Sequence, residues 1–206
     1  TRSWSVATPP ASTGALELNI RRVPGGLATD GWVFDGLAEG DTVELSGPYG
    51  RFFLREQRTE PAILIGGGTG LAPLKAMVRH VLENGPEAGP SELFLYHGAR
   101  TRADLYDVDY FTDLAAGSDG RLHYRPVLSD EQADGYRHGM VTDAVAADFD
   151  TCVGHVAYLC GPPAMVEAAL KTLMSKRLFP RDIYREDFFD SSDKSGGVRS
   201  PLLRTS

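Results

Sequence analysis

The sequence predicts two structural styles in one chain: an antiparallel, β-rich front and, behind it, a doubly wound α/β domain on a parallel sheet of five strands. Three observations carry that expectation. Up to about residue 60, apolar and polar residues alternate in short runs broken by Gly, Pro and Asp. From residue 61 onward, short apolar runs alternate with stretches of helical period. Two of those runs end in glycine turns that lead into helices, as happens at the ligand-binding edge of open α/β sheets.

Taken in order, residues 1–8 ("TRSWSVAT") and 15–23 ("ALELNIRRV") alternate as strands. Residues 27–37 ("LATDGWVFDGL") read as a short helical or looped insert, and 41–54 as a strand, a turn and a second extended run. The polar stretch "REQRTEP" marks a boundary, which divides the chain into residues 1–58, residues 59–190 and a polar tail, 191–206. Strands are expected at 62–66, 92–99, 122–129, 155–161 and 182–187. Helices are expected between them at 70–84, 107–117, 140–148 and 163–177. In the last of these, Met165, Val166, Ala169, Leu170 and Leu173 form one apolar stripe, while Lys171, Lys176 and Arg177 lie towards the negative end of the helix.

Composition narrows the functional classes. With 206 residues, 42% hydrophobic and 24% charged, the chain has the balance of a soluble globular protein with room for one large or two small domains. No apolar run approaches the ~20 residues of a membrane span, and there is no signal-type segment, so a cytoplasmic location without membrane contact is expected. A net charge of −7 argues against a nucleic-acid partner, which needs a basic face. The two cysteines, Cys152 and Cys160, cannot supply a four-thiolate cluster. His80, His97, His123, His138 and His155 are scattered without ligand spacing, so no metal site is expected.

The stretch "AILIGGGTGLAPL", residues 62–74, runs a strand straight into glycines and then a helix. That arrangement suits phosphate, because glycine admits close approach and a helix N-terminus offers N–H donors. It misses the G-x-G-x-x-G fingerprint: counting from Gly66 the sixth place is Leu71, and counting from Gly68 it is Pro73. "YHGART" also carries no ribose-binding carboxylate before Asp104, and Lys75 is misplaced for a P-loop. Glycines that only turn a strand into a helix remain the alternative. A second turn, Cys160-Gly161-Pro162-Pro163, lies at the end of another strand, and Cys160 by itself reads more readily as a buried core thiol than as a site residue.

"GGGTGLAPL" with "YLCGPP" resembles the pyridine-nucleotide domain of the ferredoxin–NADP reductase superfamily. "RSWS" is similar to that family's Arg-x-Tyr-Ser flavin motif, with Trp4 in the tyrosine's place. "GGLATDGWVFDGLAEGDTVELSGPYGRFFL" is similar to its second flavin region, and "YREDFF" to its Glu-x-aromatic ending. Within the superfamily, "KTLMSKRLFPRDIYREDFFD" looks closest to reductase components of bacterial multicomponent di-iron monooxygenases of the phenol, propane and tetrahydrofuran hydroxylase type.

The resemblance implies that residues 1–58 are the C-terminal part of an antiparallel β-barrel FAD domain, that 59–190 form the NAD(P)H domain, and that the chain is a C-terminal fragment of a longer reductase. It implies hydride transfer from NADH to FAD, then single electrons passed through a [2Fe–2S] centre outside this chain to a di-iron hydroxylase. Arg2 would pair with the FAD pyrophosphate, Trp4 would stack on the flavin, and Ser5 would reach towards N5. Gly26 and Leu27 would offer backbone N–H groups to the pyrophosphate, with Thr29 adding a hydroxyl. Gly67, Gly68, Thr69 and Gly70 match the nicotinamide loop, and Gly161 and Pro162 its facing wall. Cys160 and Glu186 match positions beside the nicotinamide, and Phe188 the aromatic that shields the flavin, with Phe189 as its substitute. For Trp4 and Phe188 an ordinary core aromatic is the competing reading. NADH is favoured over NADPH, although Arg100 and Arg102 could face a 2′-phosphate. A flavohaemoglobin-type or cytochrome-b5-reductase-like module, or a non-catalytic NAD(P)H-binding module, are the alternatives.

Overall fold

Four consecutive apolar residues, Ala62 to Ile65, suit a strand covered on both faces. In the computed structural model, which describes residues 2–10 and 14–188, they form β1 (Ala62–Gly67), fully buried in the middle of a sheet. The remaining strands are β2 (Leu93–Ala99), β3 (Leu122–Leu128), β4 (Arg137–His138), β5 (Val156–Gly161) and β6 (Ile183–Asp187). Their order is β4-β3-β2-β1-β5-β6 with every pair parallel. Helices α1 (Leu71–Asn84), α2 (Val108–Ala116), α3 (Val141–Asp148) and α4 (Pro163–Ser175) make the crossovers. The chain steps outward from β1 through β2, β3 and β4, then returns to β1's other side with β5. A switch point therefore lies between β1 and β5.

Alternation within each strand sends side chains to two cores. Leu64, Leu95, Phe111, Tyr158 and Cys160 pack under α1 and α2, with Leu71, Leu74 and Val78 from α1. Ile63, Ile65, Tyr96 and Leu159 pack under α3 and α4 with Val145, Val166, Ala169 and Leu173. The sheet has six strands, against the five expected. β4 is two residues long, too short to show a period, and α3 holds it: Arg137 pairs with Asp148 at 2.7 Å and donates to the Ala144 carbonyl at 3.3 Å. Asp148 also accepts from the buried Tyr96 hydroxyl at 2.6 Å. Burial works to raise its pKa, but the Tyr96 and Arg137 hydrogen bonds outweigh that and hold it below the ordinary carboxylate value.

The front behaves differently. Among the described residues, the expected strands over 1–8, 15–23 and 41–54 pair only at one antiparallel bridge, Val6 with Leu18, beside an Ala7 N–H bond to the Glu17 carbonyl at 2.9 Å. Alternation tells which side of a strand is apolar, but a ladder also needs a second segment within hydrogen-bonding reach. Local polar contacts order this half instead. The insert forms a π-helical turn, Thr29–Phe34, with Asp30 accepting from the Gly25 N–H at 2.9 Å and Arg22 bound to Asp35 at 2.6 Å. Asp41 accepts from the Ala38 N–H at 2.8 Å. Leu27, Leu45, Tyr49 and Phe53 are exposed.

Several ties anchor the front to the sheet domain, among them the Arg58–Asp182 ion pair at 2.9 Å. Phe52 and Leu54 pack against the first core, and the Arg55 N–H donates to the Tyr158 hydroxyl at 3.0 Å. Lys75 on α1 is buried and bridges Glu17 at 2.7 Å and Asp107 at 2.6 Å. Ser5 meets β6, as described below. Phe189 and the tail at 191–206 lie outside the described residues. No helix among the described residues is long and apolar enough to cross a membrane.

Candidate active site

β1 ends at Gly67, a 3-10 turn covers Gly68–Gly70, and α1 begins at Leu71. The glycines here serve two purposes. Gly68 is exposed, has φ +54°, and has no heavy atom within 4 Å of where a Cβ would stand, so the side on which a side chain would stand is open to an approaching ligand. Gly70 is buried, and a Cβ there would overlap the Cys160 carbonyl. A Cβ on Gly161 would fall 2.8 Å from the Gly67 carbonyl oxygen. The loop after β1 and the turn after β5 therefore touch backbone to backbone. Neither α1 nor α4 has a side-chain cap or an acidic residue in its first turn. No side-chain acceptor competes at either helix start, but the first N–H of α1, on Leu71, already donates to the Gly68 carbonyl; the glycine turn and the start of α4 at the switch point fit a dinucleotide's pyrophosphate. Thr69 is half-buried between the exposed Gly68 and the buried Gly70, and Pro162 is exposed at the start of α4.

Beside the second turn the register pairs Cys160 with Glu186 and Gly161 with Asp187. Ser5, from the far end of the chain, donates its hydroxyl to Glu186 Oε2 at 3.3 Å. Burial raises the Glu186 pKa above its ordinary value; the Ser5 hydrogen bond opposes this and Asp187 adds to it. Burial, reinforced by Glu186 and Asp187, pushes the Cys160 thiol far up, so it stays protonated and is no nucleophile at neutral pH. Phe188 is half-buried against the core that contains Cys160, and its N–H donates to the Gly161 carbonyl at 2.8 Å. The structure thus brings Ser5, Cys160, Gly161, Glu186 and Phe188 into one neighbourhood.

The remaining front residues lie at or near the surface. Arg2 and Leu27 are exposed, and Trp4 stacks on Trp32 with centroids 6.0 Å apart. This aromatic and apolar surface, with a guanidinium nearby in sequence, fits a flavin ring and its phosphates. The Gly26 N–H is engaged within the chain, donating to the Val23 carbonyl at 2.8 Å. The Thr29 hydroxyl likewise accepts from the Val23 N–H at 3.2 Å and donates to its carbonyl at 3.3 Å. Both residues close a turn on Val23, because a side-chain hydroxyl and a nearby backbone pair compete well for such groups.

Sequence reasoning missed three polar residues around the glycine loop. The Tyr106 hydroxyl donates to the Gly68 carbonyl at 3.0 Å, and burial raises its pKa to about 12. His97 is buried beside Tyr106, with Nδ1 3.0 Å from the Tyr124 hydroxyl; burial lowers its pKa to about 4, so it is neutral at pH 7. For Lys75, burial works to lower the pKa, but hydrogen bonds to Asp107 and Glu17 outweigh it and leave the ammonium above its ordinary value. A lysine in the apolar first turns of α1 was the available signal for that last residue.

A glycine turn at the switch point is thus joined by a hydrogen bond, Ser5 to Glu186, to a separate front that carries the Trp4–Trp32 stack. The families described as oxidoreductase FAD-binding domain and oxidoreductase NAD-binding domain match residues 1–54 and 64–171, and the chain belongs to this ferredoxin–NADP reductase-like family. The chain is 48% identical to the reductase subunit of an aromatic O-demethylase from Amycolatopsis sp. (strain ATCC 39116 / 75iv2), over 93% of this chain and 57% of the relative. It is 43% identical to the reductase component of phenol 2-monooxygenase from Pseudomonas sp. (strain CF600), over 99% of this chain and 58% of the relative. The crystal structure of an Amycolatopsis cytochrome P450 reductase superposes with a TM-score of 0.82 at 48% identity, over 90% of this chain and 55% of that one. The chain spans a little over half the length of these relatives. A ferredoxin–NADP+ reductase from Neisseria gonorrhoeae, at 19% identity and a TM-score of 0.73 over 91% of this chain and 80% of that one, shares the fold.

Proposed function

We propose that this chain is the hydride-accepting part of an oxygenase reductase. It takes hydride from NADH onto FAD and sends electrons singly, through a [2Fe–2S] centre outside these 206 residues, to an oxygenase component. The observation that carries this reading is the hydrogen bond from Ser5 to Glu186 beside Cys160, which ties the flavin half to the nucleotide crevice. Bound FAD supplies the hydride acceptance and the one-electron release. The chain's own residues bind and orient. Gly67, Gly68, Thr69 and Gly70 receive the nucleotide against Gly161 and Pro162, with the glycine turn ahead of α1 and the N-terminal end of α4 facing its pyrophosphate. Arg2 and Leu27 serve the FAD pyrophosphate, Gly26 and Thr29 shape the turn that presents Leu27, and Trp4 faces the flavin. Ser5 fixes the Glu186 carboxyl, while Cys160 and Phe188 wall the transfer point and keep water from it.

The resemblance to monooxygenase reductases, together with the phenol 2-monooxygenase relative, favours a di-iron hydroxylase as acceptor. A haem oxygenase is the second reading, favoured by the 48% identical structure described as a cytochrome P450 reductase. Stopped-flow flavin reduction by NADH in the full-length protein tests the central step. Ser5→Ala slows it by about tenfold, the worth of one hydrogen bond of about 1.4 kcal/mol, with FAD still bound. A flavin that NADH does not reduce overturns the reading. Mixing the reduced protein with a di-iron or a haem component identifies the acceptor by which one is reduced.

A further inference from the structure

In an open sheet whose first turn takes a pyrophosphate, the adenosine lies over the end of the neighbouring strand, where an acid takes the ribose 2′-hydroxyl or an arginine a 2′-phosphate. Here that strand is β2, paired to β1 on the side away from β5, and Arg100 follows its last residue, Ala99. Arg100 and Arg102 would suit a phosphate, but both are engaged. Arg100 Nε donates to Asp130 Oδ2 at 2.9 Å. Arg102 is held at two points by Glu131, its Nε on Oε1 at 2.6 Å and its backbone N–H on Oε2 at 2.8 Å.

Backbone register brings these partners together. The Ser129 N–H donates to the Ala99 carbonyl at 3.0 Å and the Asp130 N–H to the Arg100 carbonyl at 2.9 Å, which continues the β2–β3 ladder past its end. Ser129 Oγ steadies Asp130 Oδ1 at 2.6 Å. Asp104 adds a third carboxylate, bound to the Thr101 N–H at 3.0 Å and hydroxyl at 2.8 Å. His138 stands by, its Nδ1 3.1 Å from the Glu131 carbonyl. Two guanidinium groups thus face three carboxylates. Such exposed pairs add little to stability. What they change is the local charge: a 2′-phosphate carrying about −1.5 to −2 would have to open both pairs and then sit beside the freed carboxylates. A ribose 2′-hydroxyl can donate to a carboxylate instead.

We propose that Asp130 and Glu131 are specificity-determining residues, which by engaging Arg100 and Arg102 select NADH over NADPH. The assignment rests on the reading of the crevice as a nicotinamide-nucleotide site. Calorimetric titration with 5′-AMP and 2′,5′-ADP tests it on the full-length protein without turnover. The native protein binds 5′-AMP at least as tightly as 2′,5′-ADP, and D130N/E131Q shifts the relative affinity towards 2′,5′-ADP by about tenfold or more. E131Q alone, which leaves Asp130 on Arg100, moves it the same way by about threefold, and serves if the double variant does not fold. The NADPH/NADH ratio of kcat/KM for flavin reduction follows the same shifts. A native preference for 2′,5′-ADP, or variant ratios within about twofold of native, overturns the assignment. Failure of both nucleotides to bind overturns the crevice reading, and this assignment with it.

Discussion

Behind residue 61, Ile63, Leu64, Ile65, Leu95, Tyr96 and Leu159 are sealed between helices on both faces of the sheet; ahead of it, Leu27, Leu45, Tyr49 and Phe53 stand at the surface. Apolar content alone does not separate the two regions. What separates them is whether each apolar face finds a partner within the described chain. The sheet domain supplies its own partners through four crossover helices, so its stability comes from its own core. The front is ordered by short polar ties and leans on the sheet domain through Lys75, Tyr158 and Glu186.

The sharpest way to break this contrast is to truncate one apolar residue on each side. Ile65→Ala, in the fully buried centre of β1, is expected to cost about 2–5 kcal/mol through the cavity it leaves. Tyr49→Ala, at a residue 84% exposed, is expected to cost less than about 0.5 kcal/mol. Urea unfolding measures both, and equal costs would show that the front has a core of its own.

A smaller effect is expected at the joint between the halves. Lys75→Met leaves Glu17 and Asp107 without their shared cation, at a cost of about 1–3 kcal/mol. Amides at residues 17–19 should then exchange faster with solvent while those of β1 and β5 hardly change. Unchanged exchange at 17–19 would place the front's anchorage elsewhere, at Tyr158 or Glu186.

The smallest effect is a slope in pH. Because burial raises the Glu186 pKa, the folded state holds that proton more tightly than the unfolded chain does. Its contribution to stability is therefore fully present below the ordinary carboxylate pKa and falls as pH rises through the folded value. Asp187, also raised by burial, acts in the same direction, whereas Asp148, with its lowered pKa, acts in the opposite one. The stability difference between the native protein and Glu186→Gln isolates one slope: the variant gains relative to native as pH rises from 4 towards 7. Parallel melting curves across that range would show Glu186 to be solvated like an ordinary carboxylate.

Long periodic stretches were legible in the sequence. The pattern for 70–84 anticipated α1, and the runs at 62–66 and 155–161 anticipated β1 and β5, because length and period act within a single element. The glycine turns were legible as turns. The reason Gly70 has no side chain was not, because the Cys160 carbonyl that excludes one comes from a strand some ninety residues later. The adjacency of Cys160 and Glu186 depends on the β5–β6 register, and the pairing of Arg100 with Asp130 on the β2–β3 register, neither of which leaves a mark on local composition. Gly26 and Thr29 show the reverse difficulty. A motif suggested donors for a ligand, while three-dimensional proximity to Val23 already engaged the Gly26 N–H and the Thr29 hydroxyl.

The contact between the loop after β1 and the turn after β5 has a calorimetric consequence. Neither segment can swing out alone without losing the fit of Gly70 against Cys160 and of Gly161 against Gly67. A nucleotide settling across them meets a surface that is already set, so little chain is ordered at the moment of capture. Its heat-capacity change then reports the surface the nucleotide itself covers, with no folding contribution added. Association has no loop closure to wait for, so its rate should scale with nucleotide concentration up to the limit set by diffusion and orientation.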